Sequence, residues 1–282
     1  MNEASLLLIS LKLLGGFILG LVVGSIGAGG SLIAIPILED LYYVTPEHAS
    51  ILSLIVVIFV YLTALALNYR ELKGWFQSRG FHLSILYGFF GAILSNISSR
   101  YGHHLGDQER TISFAILLNV ACIIMILNTI FIEGKNAVRP GVPERGGMRS
   151  PSYVILNALV ASFLGILTGI FGVGGGFLLV PVVLFAARVS FNYAVICSMV
   201  ISTVNSLSSL TASYEIVSGE EILKAIILSF FGVLGIFASI AFKRFILKNN
   251  NKETFEKISK ILYAIIVFGL SLRYYLIYFH YL

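Results

Sequence analysis

A long apolar run in this chain is interrupted by a cluster of glycines, and the interruption occurs twice at one spacing. The first copy reads Gly24-Ser25-Ile26-Gly27-Ala28-Gly29-Gly30-Ser31-Leu32-Ile33-Ala34-Ile35-Pro36, and the second runs from Gly169 through Gly172, Gly174, Gly175 and Gly176 to Pro181. Five positions coincide at an offset of 145: Gly24/Gly169, Gly27/Gly172, Gly29/Gly174, Gly30/Gly175 and Pro36/Pro181. The same offset pairs Gly20 with Gly165, Ala49 with Ala194, Ser53 with Ser198, Tyr69 with Tyr214 and Gly74 with Gly219. Self-similarity at a fixed period points to two copies of one structural unit. Each copy opens with an apolar run, a glycine break and a short apolar run closed by proline.

Runs of this kind call for lipid as solvent. Of the 282 residues, 57% are hydrophobic and 12% charged, with mean hydropathy +0.92. A soluble domain carries about twice that charged fraction, so the expectation is an all-α, multi-pass membrane protein. The net charge of +5 comes from basic residues between the apolar runs, where Lys and Arg set topology, and it is no nucleic-acid footprint. Cys122 and Cys197 lie inside apolar runs without Cys or His at ligand spacing, so neither a metal nor a cofactor is expected. Met1-Asn2-Glu3 lacks a basic n-region, so the first run reads as a retained helix.

In order, spans are expected over 6–23, 49–67, 81–97 and 111–132, then 153–171, 193–214, 222–242 and 261–281, with short arms at 31–38 and 177–187. Thr45 reads as an N-cap with Pro46 at the first helical position. The Pro-, Gly- and Arg-rich stretch 133–151 divides a first repeat, 1–132, from a second, 152–282. Glu39-Asp40 and Thr45-Pro46-Glu47 mark an aqueous turn, and the aromatic end from Arg273 to Tyr281 reads as an interfacial belt.

As one helix, residues 6–38 would extend roughly 50 Å, against a hydrocarbon core of about 30 Å. Either each opening unit crosses once with a break, giving eight crossings and parallel halves, or it turns at the glycines and leaves where it came in. The re-entrant form leaves three crossings per half and inverts the halves. Lys plus Arg number none in 39–47, three in 69–80, two in 100–110, four in 133–151, one at 188, one in 215–224 and six in 243–260. Inverted halves place fourteen of these on one face and three on the other; parallel halves divide them eight to nine. The positive-inside bias favours inverted halves with both termini outside.

Backbone groups unpaired in lipid cost several kcal/mol each, so helices break at membrane depth where protein or a water-filled cavity receives them. A helix restarting after such a break points free N–H groups and a positive dipole end inward. Two such ends make a site for an anion. Tight packing by small residues is the plainer reading of the glycines, but it does not explain four glycines in seven residues plus a proline in both copies. After the second break, Ser198, Ser202, Asn205 and Ser209 fall at helical spacing within a run that also holds Thr203, Ser206 and Ser208. These polar groups line a cavity or bond neighbouring helices. The first half answers with Ser50, Ser53, Tyr61 and Thr63, so the site is expected to be asymmetric. Lys12 either snorkels to the interface or counters an anion. Asn119 and Asn128 are lesser candidates of the same kind, and His103-His104 reads as interfacial. The central spans hold no acidic residue, so no carboxylate proton relay is visible.

The duplicated Gly-x-x-Gly-x-Gly-Gly-[Ser/Gly]-x-x-x-x-Pro pattern, with four segments per half, resembles the TauE/SafE sulfite-exporter family, also called the toluene-sulfonate uptake permeases. The resemblance implies secondary transport of a small sulfur-containing or organic anion, such as sulfite, a sulfonate or sulfoacetate, coupled to a proton or ion gradient at the cell membrane. It maps the substrate onto Gly27, Gly29, Gly30 and Ser31 and onto Gly172, Gly174, Gly175 and Gly176. Ser53, Ser198, Ser202 and Asn205 join the substrate-binding set from the polar pattern. Ser31 stands where the second copy has Gly176. An anion channel with the same pore is the alternative. An enzyme would need a nucleophile–base pair or metal cluster in the spans, and none is visible. A homodimer is compatible with the sequence, which does not decide it.

Overall fold

The structure, a computed structural model, describes residues 3–27, 29–102, 104–131, 150–174, 176–187, 189–249, 265–277 and 279. These residues form helices and no strand: α1 (Glu3–Ile26), α2 (Gly30–Tyr42), α3 (Pro46–Leu67), α4 (Tyr69–Trp75), α5 (Arg79–Gly102), α6 (Asp107–Phe131), α7 (Pro151–Phe171), α8 (Gly176–Ala187), α9 (Phe191–Ser213), α10 (Gly219–Asn249) and α11 (Ile265–Ile277). Six of them are long and apolar enough to cross a bilayer. Large side chains such as Leu7, Leu14, Phe59, Phe89, Leu159 and Phe163 are exposed on them, which only a lipid solvent accommodates at this density. The chain is a multi-pass membrane protein. The linker expected over 133–151 lies outside the described residues except for Ser150 and Pro151, which cap and open α7.

Local sequence sets the helix ends. Thr45 caps α3 as the sequence predicts, accepting from His48 N at 3.4 Å with Pro46 next. Ser150 caps α7, accepting from Tyr153 N at 3.2 Å, again with proline following. At α10, Ser218 Oγ accepts from Glu221 N at 3.3 Å while Glu221 Oε2 accepts from Ser218 N at 3.0 Å, a reciprocal capping box. His48 Nδ1 meets Glu221 Oε1 at 2.8 Å and ties the starts of α3 and α10 together.

The most buried spans, α3 and α9, form the centre. α10 runs parallel beside α3, with Gly232 against Val60, and α1 runs parallel along α10. There Gly16 meets Leu228 and Phe231, Gly20 meets Gly232 and Gly235, and Gly24 meets Ser239. The other side is built alike. α5 lies parallel to α9, and α7 parallel to α5, with Gly165 against Gly91, Gly169 against Ser95 and Ser98, and Gly102 against Ile170. No Cβ fits at Gly20 or Gly165, because each faces a backbone carbonyl, of Gly232 and Gly91 respectively. This is how helices associate where water supplies no drive.

Both opening units are helix–break–helix hairpins. α2 returns along α1: Gly15 faces Ile37 and Leu41, and Lys12 Nζ lies 4.9 Å over the Tyr42 ring. α8 returns along α7: Tyr153 Oη, near the start of α7, donates to Ala186 O, near the end of α8, at 2.7 Å. The first arm is longer than the sequence predicts, 13 residues where 31–38 reads as about eight, because Pro36 sits within the helix instead of closing it. Glu39 and Asp40 therefore occupy the last turn of α2 rather than an aqueous turn. Tyr43 ends the arm in the left-handed region (φ 53°).

Candidate functional site

The two breaks depend on left-handed backbone that glycine adopts without strain: φ is 74° at Gly27, 86° at Gly29 and 63° at Gly172. Breaking a helix frees carbonyls that burial would leave unpaired. At the second break Ser53 Oγ donates to Gly172 O at 2.6 Å and also reaches Ser50 O at 2.8 Å. At the first break Ser198 Oγ, 3.3 Å from Gly27 O and 2.8 Å from Val195 O, stands in the same relation. Ser53 and Ser198, like Gly27 and Gly172, are positions related by the 145-residue offset. The first break is thus received by α9 and the second by α3.

Between the breaks lies a buried polar cluster. Tyr61, fully buried on α3, accepts at its Oη from Gly30 N at 3.4 Å, taking one of the free amides that open α2. A Cβ built on Gly176 would lie 2.5 Å from the same Oη and 3.2 Å from Ser202 Oγ; one built on Gly174 would lie 2.8 Å from Ser206 Oγ. Tyr61 therefore touches both breaks, and Ser202 and Ser206 border the second. Ser31, Ser202 and Ser206 are at most 1% exposed, and their hydroxyls have no hydrogen-bond partner. Orphaned buried hydroxyls cost about 1–3 kcal/mol each; among the described residues, three of the four such serine hydroxyls lie at the two helix starts, the fourth being Ser209.

The difference between the two glycine motifs has a steric cause. Tyr61 and Ser206 occupy equivalent positions at the 145 offset, as do Ser31 and Gly176. Tyrosine projects its hydroxyl to where a side chain at 176 would begin, so that position is glycine. At the equivalent positions the chain has Ser206 and Ser31.

A narrow cleft leads from the second break, lined by Ser50, Leu54, Ser99, Arg110, Gly169 and Gly172 among others, with about 10 Å³ open to the centre of a water molecule, room for about one water. Arg110, 5% exposed, donates from Nη1 to Ile170 O at 3.0 Å and from Nη2 to Gly102 O, closing the carbonyl ends of α7 and α5. Its Nε has no partner.

Of the residues singled out from sequence, Gly27, Gly29, Gly30, Ser31, Gly172, Gly174 and Gly176 form the breaks, with Ser53, Ser198 and Ser202 beside them. Gly175 lies outside the described residues, as does His103. Asn205 is elsewhere: its side chain packs against Gly91 of α5, where a Cβ would meet Nδ2 at 2.6 Å, its Oδ1 has no hydrogen-bond partner, and its backbone carbonyl accepts from Ser95 Oγ at 3.0 Å. The face of α9 that borders the breaks runs 198–202–206, not 198–202–205–209. Asn119 bonds Ala115 O and Tyr275 Oη, each at 3.2 Å, away from the breaks. Lys12 lies over Tyr42. Tyr61 and Ser206 are members that the spacing argument did not select, although the 145 offset pairs them.

The family model for the sulfite exporter TauE/SafE matches residues 12–272. A probable membrane transporter protein of Xylella fastidiosa (strain Temecula1) is 27% identical over 175 residues, covering 61% of this chain and 61% of that protein. The probable membrane transporter protein MJ0441 of Methanocaldococcus jannaschii is 26% identical over 216 residues, 74% of this chain and 75% of the relative. YunE of Bacillus subtilis (strain 168), also a probable membrane transporter protein, is 28% identical over 224 residues, covering 72% of this chain and 78% of YunE. No solved structure matches the chain significantly.

Proposed function

The chain belongs to the sulfite exporter TauE/SafE family, and on that premise we propose that it is a secondary active transporter of a small anion in the cell membrane. The cargo is a sulfur-containing or organic anion such as sulfite, a sulfonate or sulfoacetate. The observation that carries this reading is the set of buried, unpartnered hydroxyls of Ser31, Ser202 and Ser206 beside the N-terminal ends of α2 and α8. Hydroxyl donors and helix starts suit the oxygens of a sulfite or sulfonate group.

In the proposed mechanism the halves, 1–132 and 152–282, are inverted repeats, and the breaks meet near the bilayer midplane. The hairpin course of both opening units and the serine exchange across the breaks support that arrangement. Alternating access follows when one hairpin shifts against the central helices while the other holds, each shift trading Ser53–Gly172 or Ser198–Gly27 contacts for water. A proton or ion gradient drives net movement. Uptake of labelled sulfite and sulfoacetate into proteoliposomes, with and without an imposed pH gradient, tests the reading. Saturable, competed, gradient-dependent flux supports it, and flux that rises without saturation assigns a channel.

A further inference from the structure

We propose that Glu39, at the end of α2 far from the break, is the group that takes up and releases the coupling proton. The inference rests on the transporter reading above. Sequence shows no carboxylate in the central spans, yet the fold buries this one: its side chain is 13% exposed. Glu39 Oε2 accepts from Tyr274 Oη at 2.9 Å and from Arg273 Nη1 and Nη2, both at 3.4 Å. Arg273 also donates to Asp40. When Glu39 takes a proton the guanidinium therefore keeps a carboxylate partner, and α11 need not let go.

The position of this cluster gives a proton leverage over both hairpins. Glu39 belongs to α2, whose other end is the first break. Tyr274, 3% exposed, packs edge-on against Phe114 of α6 at 5.0 Å, and Phe114 lies 6.3 Å from Phe171, the residue before Gly172 of the second break. At the 145 offset the second arm carries Leu184 in place of Glu39, so packing of the repeated unit does not demand an acid here.

Lys12, Lys224 and His48, on the helices around α2, are engaged elsewhere. Lys12 of α1 lies over the Tyr42 ring, Lys224 of α10 donates to Tyr42 O at 3.4 Å, and His48 of α3 pairs with Glu221 of α10. Arg110 of α6 holds the Ile170 and Gly102 carbonyls, and α8 carries no charged residue. Arg273 and Tyr274 are the partners in contact with the carboxylate.

Burial pushes the Glu39 carboxyl up from 4.5 to about 6, with Arg273 and Tyr274 pulling partly the other way and the neighbouring Asp40 charge adding to the rise. A proton therefore favours the docked arm. That preference is complete below the solvated value of about 4.5 and is lost as pH rises through about 6. The shift amounts to about thirty-fold in proton affinity between docked and hydrated Glu39. Undocking the arm lets water in and releases the proton, which is the differential affinity that coupling requires.

The test uses proteoliposomes and sulfoacetate, whose acid groups stay ionised over the relevant range. Wild-type protein should accumulate sulfoacetate under an acid-side gradient with a midpoint near 6. Glu39→Gln keeps an acceptor for Tyr274 but cannot titrate. It should retain sulfoacetate exchange at equal pH, which also shows that it folds, while gradient-driven accumulation falls about tenfold or more. Tyr274→Phe removes a bond that holds the Glu39 value down and should move the midpoint upward. Accumulation by Glu39→Gln at the wild-type level overturns the proposal. If the wild type moves no sulfoacetate, the transporter reading fails on this anion and the proton site is still decided by infrared difference spectra of the carboxyl stretch. A band titrating near 6 in wild type and missing in Glu39→Gln supports the assignment; no such band overturns it.

Discussion

Replacing Gly176 with alanine introduces one methyl group at the point where both breaks touch Tyr61. The new Cβ would lie 2.5 Å from Tyr61 Oη, 3.2 Å from Ser202 Oγ and 3.3 Å from Tyr61 Cζ. The first distance is untenable, so Tyr61 must move, and moving it removes the acceptor for Gly30 N. Overpacking of this kind costs about 1–3 kcal/mol, and a buried amide left without a partner costs about 1–3 kcal/mol more. Tyr61→Phe alone loses only the acceptor. In the double variant the 2.5 Å contact is gone and the nearest atoms lie at 3.2 and 3.3 Å, a separation that small adjustments absorb. The cycle should therefore be non-additive, with the double variant more stable than the sum of the singles by about 2 kcal/mol or more. Unfolding midpoints of the four purified proteins in mixed micelles measure it. Strict additivity would show that Tyr61 does not limit the residue at 176, and the steric account of the Ser31/Gly176 exchange would be wrong.

Ser53→Ala and Ser198→Ala each strip a break carbonyl of its donor and should destabilise the protein by about 1–3 kcal/mol. Ser53→Ala should cost more, its bond to Gly172 O being 2.6 Å against 3.3 Å at Ser198; the reverse order in unfolding midpoints would contradict the geometry. Ser202→Ala and Ser206→Ala remove hydroxyls that have no protein partner, so stability should hold or rise slightly while the apparent KM for the anion rises about tenfold, one charge-assisted hydrogen bond's worth. Unchanged uptake kinetics in both would remove them from the site. Gly29→Val and Gly174→Val should leave the protein inserted but abolish uptake, because a side chain at the first opposes φ 86° and one at the second meets Ser206 and Val57. Single cysteines at Lys73 and Glu220, in a chain with Cys122 and Cys197 replaced, should react with an impermeant thiol reagent from opposite faces of the membrane; labelling from one face would refute the inverted halves.

Much of this protein is legible in its sequence because bilayer physics narrows the choices. Apolar runs of spanning length with few charges leave helices as the one structure open to them. Clustered glycines then fix where those helices break, and Thr45-Pro46 fixes where one restarts. Those are local facts, carried by residues a few positions apart. The pairing of surfaces was not legible. Helical spacing proposed a face of α9 through Asn205, and packing chose the neighbouring face through Ser206, one residue or about 100° away, because α5 claims Asn205 through Gly91. Tyr61 became part of the site because its ring reaches across to Gly176, 115 residues distant in the chain. Glu39 reads as the start of an aqueous turn until α11 covers it with Arg273 and Tyr274, 234 and 235 residues later. Burial, and with it the cost of a charge or an unpaired hydroxyl, belongs to the assembled helices and not to any segment of them. The sequence determined that the helices break and where; only their packing decided which polar groups meet at the breaks.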